Sequence, residues 1–118
     1  MISTGGLNTC NIIGHVEDYD DTKYNPRDGS GAILLIVKVS ITRWDNRTSN
    51  EKTFEDDFRI ACYGDIAGYV YEEVDTGMAI RVEGPQRTRM WTKRDCGCRH
   101  YTKEILARYL ARLPADRT

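Results

Sequence analysis

From Ala32 to Trp44 the chain alternates, with Ile33, Leu35, Val37, Val39 and Ile41 on one parity and Leu34, Ile36, Lys38, Ser40, Thr42 and Trp44 on the other. A period of two belongs to a β-strand, whose successive side chains point to opposite faces. The first half of this run is apolar on both parities, whereas the second is apolar on one and polar on the other, so the strand has a core to cover. Trp44 falls on the polar side.

The other segments fit around that strand. Asn8 to Val16 alternates more weakly and runs into the acidic turn Glu17 to Asp21, followed by Asn25-Pro26-Arg27-Asp28-Gly29-Ser30-Gly31, a stretch dense in turn formers. Asp45 to Lys52 reads as a polar hairpin loop, and Thr53 to Tyr63 as its return strand, with Phe58, Ile60 and Cys62 opposed to Asp57, Arg59, Ala61 and Tyr63. Asp65 is placed to cap a short helix through Ile66, Ala67, Tyr69, Val70 and Glu73, with Gly77 soon after its end. Met78 to Thr92 returns to strand, with Met78, Ile80 and Val82 inward, Arg81 and Glu83 outward, and a bend or bulge expected at Gly84-Pro85. A last element starts near Tyr101. Its tail, residues 105 to 113, carries Leu106, Tyr109, Leu110 and Leu113 at helical offsets, so strand and helix compete there.

A chain of 118 residues is the size of one globular domain, here residues 1–118, with a core over about 7–108 and a short C-terminal extension. No apolar stretch approaches the roughly 20 residues of a membrane helix, and residues 1–6 lack the regions of a secretory signal. The expected setting is the cytoplasm, and Cys10, Cys62, Cys96 and Cys98 are expected to be reduced thiols.

The net charge of −1 hides an asymmetry. Residues 1–80 hold seven Lys/Arg against fourteen Asp/Glu, whereas residues 81–118 hold ten against four. Screening over about 8 Å at physiological salt lets a local basic face attract phosphate despite distant acids. Within the basic segment, Arg87-Thr88-Arg89-Met90-Trp91-Thr92-Lys93-Arg94 sets Arg87, Arg89 and Trp91 on one strand face. Guanidinium groups beside an indole are what single-stranded nucleic acid needs, cations for phosphates and a flat apolar surface for an unpaired base.

Five strands with a helix between the third and fourth is the element order of a mainly all-β, five-stranded OB-fold, a Greek-key barrel whose face and loops bind oligonucleotides. The runs Asn8 to Val16, Trp44-Asp45, Tyr63-Gly64-Asp65-Ile66-Ala67, Val82 to Thr92 and Tyr101-Thr102-Lys103-Glu104 resemble the bacterial single-stranded DNA-binding protein family over residues 7–106. The Glu83-Gly84 and Arg87-Thr88-Arg89 pieces with Trp91 are the most specific part of that resemblance.

The resemblance implies a homo-oligomer, a tetramer in preference to a dimer, that coats single-stranded DNA during replication, recombination and repair, with neither catalysis nor cofactor. It implies base stacking at Trp44, Tyr63 and Trp91, aromatics that parity independently places outward. Phosphate contacts fall to Arg59, Arg81, Arg87, Arg89 and Lys38, with Lys93, Arg94 and Arg99 on a mobile loop. Two departures stand out. Asp57, preceded by Glu55 and Asp56, occupies the position of another stacking Trp, which implies weaker binding or a shorter site. The acidic, aromatic tail by which relatives recruit replication proteins is absent from the sequence, which puts that route in question.

Other chemistry is weakly signalled. Cys96-Gly97-Cys98-Arg99-His100 supplies three zinc ligands at an unusual spacing, against the plainer reading of a flexible loop with exposed thiols, so no metal is assigned. His15 and His100 have no nucleophile near them in any recognisable motif, and Glu17, Asp18, Asp20 and Asp21 lack the glycine and spacing of a calcium loop. The alternative to a strand-coating protein is a primosomal or other replication-protein interaction subunit on the same fold, binding DNA weakly. A metal-dependent hydrolase is a distant third.

Overall fold

The computed structural model describes residues 8–92 and 94–114, the side chains of Trp91 and His100 excepted. The elements are β1 (Cys10–Asp20), β2 (Tyr24–Asn25), β3 (Ser30–Asp45), β4 (Asn50–Tyr63), α1 (Gly64–Glu73), β5 (Ala79–Gly84), β6 (Gln86–Thr92), β7 (Arg99–Leu106) and β8 (Tyr109–Arg112). The strands form one curled sheet in the order β6-β7-β4-β3-β1-β5-β8, with β2 pairing β3. The five expected strands are all present; the fourth is divided into β5 and β6 and the fifth into β7 and β8.

The division at Gly84-Pro85 closes the barrel. Pro85 has no N–H to give a ladder, so the strand turns there and leaves β1 for β7. Leu106 N donates to Pro85 O and Arg108 N to Glu83 O, each at 2.9 Å, which ties the end of β7 to the bend. A Cβ on Gly84 would lie 1.9 Å from Leu106 O, so only glycine allows the two backbones to approach this closely. On the far side, β4 pairs in parallel with β7 from Arg59↔Glu104 to Ala61↔Leu106.

The core follows the alternation. Ile33, Leu35 and Val37 of β3 are fully buried with Ile60 and Cys62 of β4, Ile80 and Val82 of β5, and Ile105 of β7. Helix α1 lays Ala67 and Val70 on this core. Burial pushes the Cys62 thiol up to about 12, as expected of a cysteine acting as a small core residue.

Several sequence expectations are corrected. The first strand continues past Val16 to Asp20, with a bulge between Val16 and Asp18, because β3 offers ladder partners as far as Leu34 while the acidic side chains stay in water. Ile41 does not join the core: it is 49% exposed and faces Phe54, because the β3–β4 hairpin extends beyond the end of the barrel. The helix begins one residue before Asp65, with Tyr63 as an extended N-cap that makes no side-chain capping bond, so Asp65 acts in the first turn rather than as cap. The helical offsets in 105–113 are incidental. Those residues form the end of β7 and β8, since ladder partners on β4 and β5 satisfy the backbone. Finally, Cys96 and Cys98 are disulfide-bonded instead of reduced, with Gly97 between them at φ 65°.

Candidate nucleic-acid interface

Register assembles the site on the outer face of the sheet. Asp20 of β1 pairs with Leu34, Ala32 with Tyr63, Ile36 with Arg59, Arg59 with Glu104, Glu104 with Arg87, and Thr102 with Arg89. Paired residues share a face, so five strands contribute to one surface from segments far apart in sequence.

At its centre lies Glu104, 1% exposed, the buried charged side chain among the described residues. Arg87 Nε donates to Glu104 Oε1 at 2.9 Å, its Nη2 lies 2.9 Å from the same oxygen, and Arg59 Nε lies 3.5 Å from Oε2. Arg87 Nη2 also donates to Tyr63 Oη at 3.2 Å, and its guanidinium carbon lies 5.7 Å from the Tyr63 ring centroid, within cation–π range. The carboxylate thus orients Arg87 by a hydrogen bond and pairs with Arg59 by charge alone, since Arg59 Nε and Glu104 Oε2 are buried without a hydrogen-bond partner among the described residues, and an exposed phenol ring lies beside them. Two positive charges against one negative leave the cluster cationic, suited to a phosphate, with the ring free to take a base.

The remaining expected residues are spread differently. Arg89 joins this cluster, on a depression it shares with Lys23, Arg59 and Thr102. Trp44, 63% exposed, sits at the far end of β3, twelve residues along the strand from the position opposite Tyr63, roughly 40 Å at strand rise. It has cationic neighbours there, Arg43, Arg47 and Lys52, of which Lys52 is paired with Asp45 at 2.8 Å. Arg94 and Arg99 are exposed on and beside the β6–β7 loop. Lys93 lies outside the described residues, as does the Trp91 side chain, although the Trp91 backbone is in β6 opposite His100.

Two residues are set apart from the cluster. Arg81 is on β5, beyond β1 and β3 in the sheet order, where its Nε donates to Asn11 Oδ1 at 3.3 Å. Lys38 is on the right face but lies 3.1 Å from Glu17 and 3.6 Å from Glu55, opposite Asp57 in register. The hydrogen bond to Glu17, reinforced by Glu55, raises its pKa, and the local balance is acidic. A phosphate meets net repulsion there.

Lys23 and Glu104 escaped the sequence reading. Lys23 follows five residues of which three are acids, and Glu104 stands only as the end of the run Tyr101-Thr102-Lys103-Glu104, with no role assigned, because only register joins either residue to the arginines.

A curled, partly closed β-barrel with a basic and aromatic outer face defines an OB-type nucleic-acid-binding module. The single-strand binding protein family model matches residues 7–113, and the chain belongs to that family. It is 32% identical over 107 residues to a single-stranded DNA-binding protein 1 from Xylella fastidiosa, covering 91% of this chain and 77% of that one. Among solved structures, it resembles the Plasmodium falciparum SSB in complex with ssDNA, with a TM-score of 0.74 and 23% identity over 96% of this chain and all of that one. The small single-stranded DNA-binding protein from Streptomyces coelicolor superposes with a TM-score of 0.65 and 14% identity, over 91% of this chain and 94% of that one.

Proposed function

We propose that this chain binds single-stranded DNA with little dependence on sequence, stacking bases on Tyr63, Trp91 and Trp44 and holding phosphates with Arg59, Arg87 and Arg89, assisted by Lys23, Arg94, Arg99 and Lys93. The observation that carries this reading is the Glu104-centred cluster, which presents two guanidinium groups beside an exposed ring on one face. Lys38 and Arg81 contribute least, the first neutralised by acids and the second on a distant strand.

The family setting supports a role in replication, recombination and repair in the compartment that holds the cell's DNA, acting by coating rather than by catalysis. A homo-oligomer, with a tetramer favoured over a dimer, extends the path from one barrel to the next. Among the described residues, no helix is long and apolar enough to cross a membrane.

The test is a tryptophan-fluorescence titration with dT oligomers of increasing length at several salt concentrations. With about four phosphates neutralised per barrel, log K falls against log salt with a slope of about −3. Absence of quenching at every length, or affinity that ignores salt, would falsify the reading.

A further inference from the structure

Two cavities adjoin on the outer face, and both are lined by Lys23 and Arg89. The first, about 200 Å³, is lined further by Asp20, Gly31, Ala32, Leu34 and Tyr63. The second, about 230 Å³, adds Arg59 and Thr102. Sites for drug-sized ligands run to roughly 300–1,000 Å³, so each space suits a single ring or a phosphate rather than a whole cofactor. Their chemistry divides the same way: a ring and aliphatic side chains in one, three cations in the other.

Asp20 is the carboxylate on this lining. Its Oδ1 accepts from Thr22 N at 3.0 Å and Thr22 Oγ1 at 2.6 Å, which holds the group in place on the cavity lining, within the field of Lys23 and Arg59. Those bonds hold its pKa below the usual carboxylate value, so at neutral pH it only accepts hydrogen bonds. The loop is anchored by glycine: a Cβ on Gly31 would fall 1.8 Å from Lys23 O, so the backbone carrying Lys23 lies directly on β3.

We propose that these cavities hold one nucleotide, its base against Tyr63 and Leu34 and its phosphate among Lys23, Arg59 and Arg89, and that Asp20 makes this position favour cytosine over thymine. The proposal rests on the single-strand binding reading and deepens it. An ionised carboxylate accepts from the exocyclic amino group of cytosine and repels the carbonyl oxygen that thymine carries at the same ring position. Both pyrimidines offer a similar π-face, so stacking on Tyr63 does not discriminate between them. The preference is confined to one position in an otherwise sequence-tolerant path.

The experiment compares wild type, Asp20→Asn and Lys23→Ala with dC and dT oligomers of about 12 nucleotides, within the span of one barrel. Wild type is expected to bind the dC oligomer about fivefold more tightly, the lower end of what one well-placed base contact discriminates. Asp20→Asn keeps an acceptor for Thr22 and an unchanged melting temperature, abolishes the preference and strengthens dT binding. Lys23→Ala weakens both oligomers equally and makes the salt slope shallower by about 0.7. A dC-to-dT ratio that is the same in wild type and Asp20→Asn overturns the cytosine preference while leaving strand binding intact. Unchanged affinity and salt slope in Lys23→Ala overturn the phosphate half. Failure of wild type to bind either oligomer overturns the underlying reading as well.

Discussion

Arg87 and Glu104, seventeen residues apart in sequence, are joined through two guanidinium nitrogens on one carboxylate oxygen, each at 2.9 Å, with the carboxylate buried and the guanidinium half-exposed. A buried carboxylate costs heavily unless it is paired, so this contact organises the face rather than decorating it. Arg59 shares the same partner from a neighbouring strand. The cations that would meet DNA are positioned before any strand arrives.

Glu104→Gln leaves two guanidinium groups without their shared counter-charge. The expected loss of folding stability is about 1–3 kcal/mol, below the range for breaking a fully buried pair because both arginines reach solvent. Urea denaturation checks this through a lowered midpoint at unchanged slope; a midpoint equal to wild type would mean the cluster adds nothing to stability.

Tyr63→Ala removes the ring that Arg87 flanks and is expected to cost about 1–3 kcal/mol of binding to short dT oligomers. Tyr63→Phe keeps the ring and loses only the bond from Arg87, so its affinity stays within about threefold of wild type. Equal losses in the two variants would assign the effect to the hydroxyl instead of to stacking.

Trp44→Ala behaves differently, since Trp44 lies at the far end of β3. Oligomers too short to span from Tyr63 to the hairpin are expected to bind the variant as they bind wild type, and longer ones to bind it about fivefold or more weakly. A loss of the same size at every length contradicts the placement.

Asp57 opposes Lys38 in register, beside Glu55 and near Glu17. Asp57→Trp removes one charge from an acidic patch and adds a stacking surface, so affinity for long dT oligomers should rise about fivefold or more. A variant that bound no better than wild type would show that the strand does not pass this part of the face.

Burial raises the Cys62 thiol to about 12, and burial with help from Asp21 and Asp75 raises Tyr19 to about 12 as well. Both groups stay protonated in the folded chain at a pH where the unfolded chain has begun to lose those protons. Their contribution is complete below the unfolded pKa values and declines as pH rises toward the folded ones, by up to about 1.4 kcal/mol per pH unit for the buried Cys62 thiol and by less for the partly solvated Tyr19. Cys62→Ala is therefore less stable than wild type at pH 7, through the cavity it leaves, yet should lose stability less steeply between roughly pH 9 and pH 11. Parallel stability curves for the two proteins would contradict this.

How much of this was legible beforehand varies by element. The alternation of Ile33, Leu35 and Val37 identified core residues correctly because burial on one face leaves a period of two in any sequence. Ile41 carried the same signal and is exposed, because parity records which face a residue is on and not whether the sheet is covered at that point. Helical offsets in residues 105–113 left strand and helix open for a related reason: a short apolar run satisfies both periods, and the ladder to β4 and β5 decided between them.

The amino-acid sequence by itself determined the order of strands and helix, the break at Gly84-Pro85, the outward position of Trp44 and Tyr63, and the concentration of positive charge in the last third of the chain. These depend on local periodicity, backbone restriction and composition, which neighbours along the chain already express. Only the tertiary structure decided that Arg59, Arg87, Tyr63 and Glu104 form one cluster, that Lys38 is neutralised by acids, and that Asp20 and Lys23 line one cavity that Lys23 and Arg89 share with the next. Those relationships are set by strand register and barrel closure, and register is a property of pairs of distant segments that no single stretch of sequence contains.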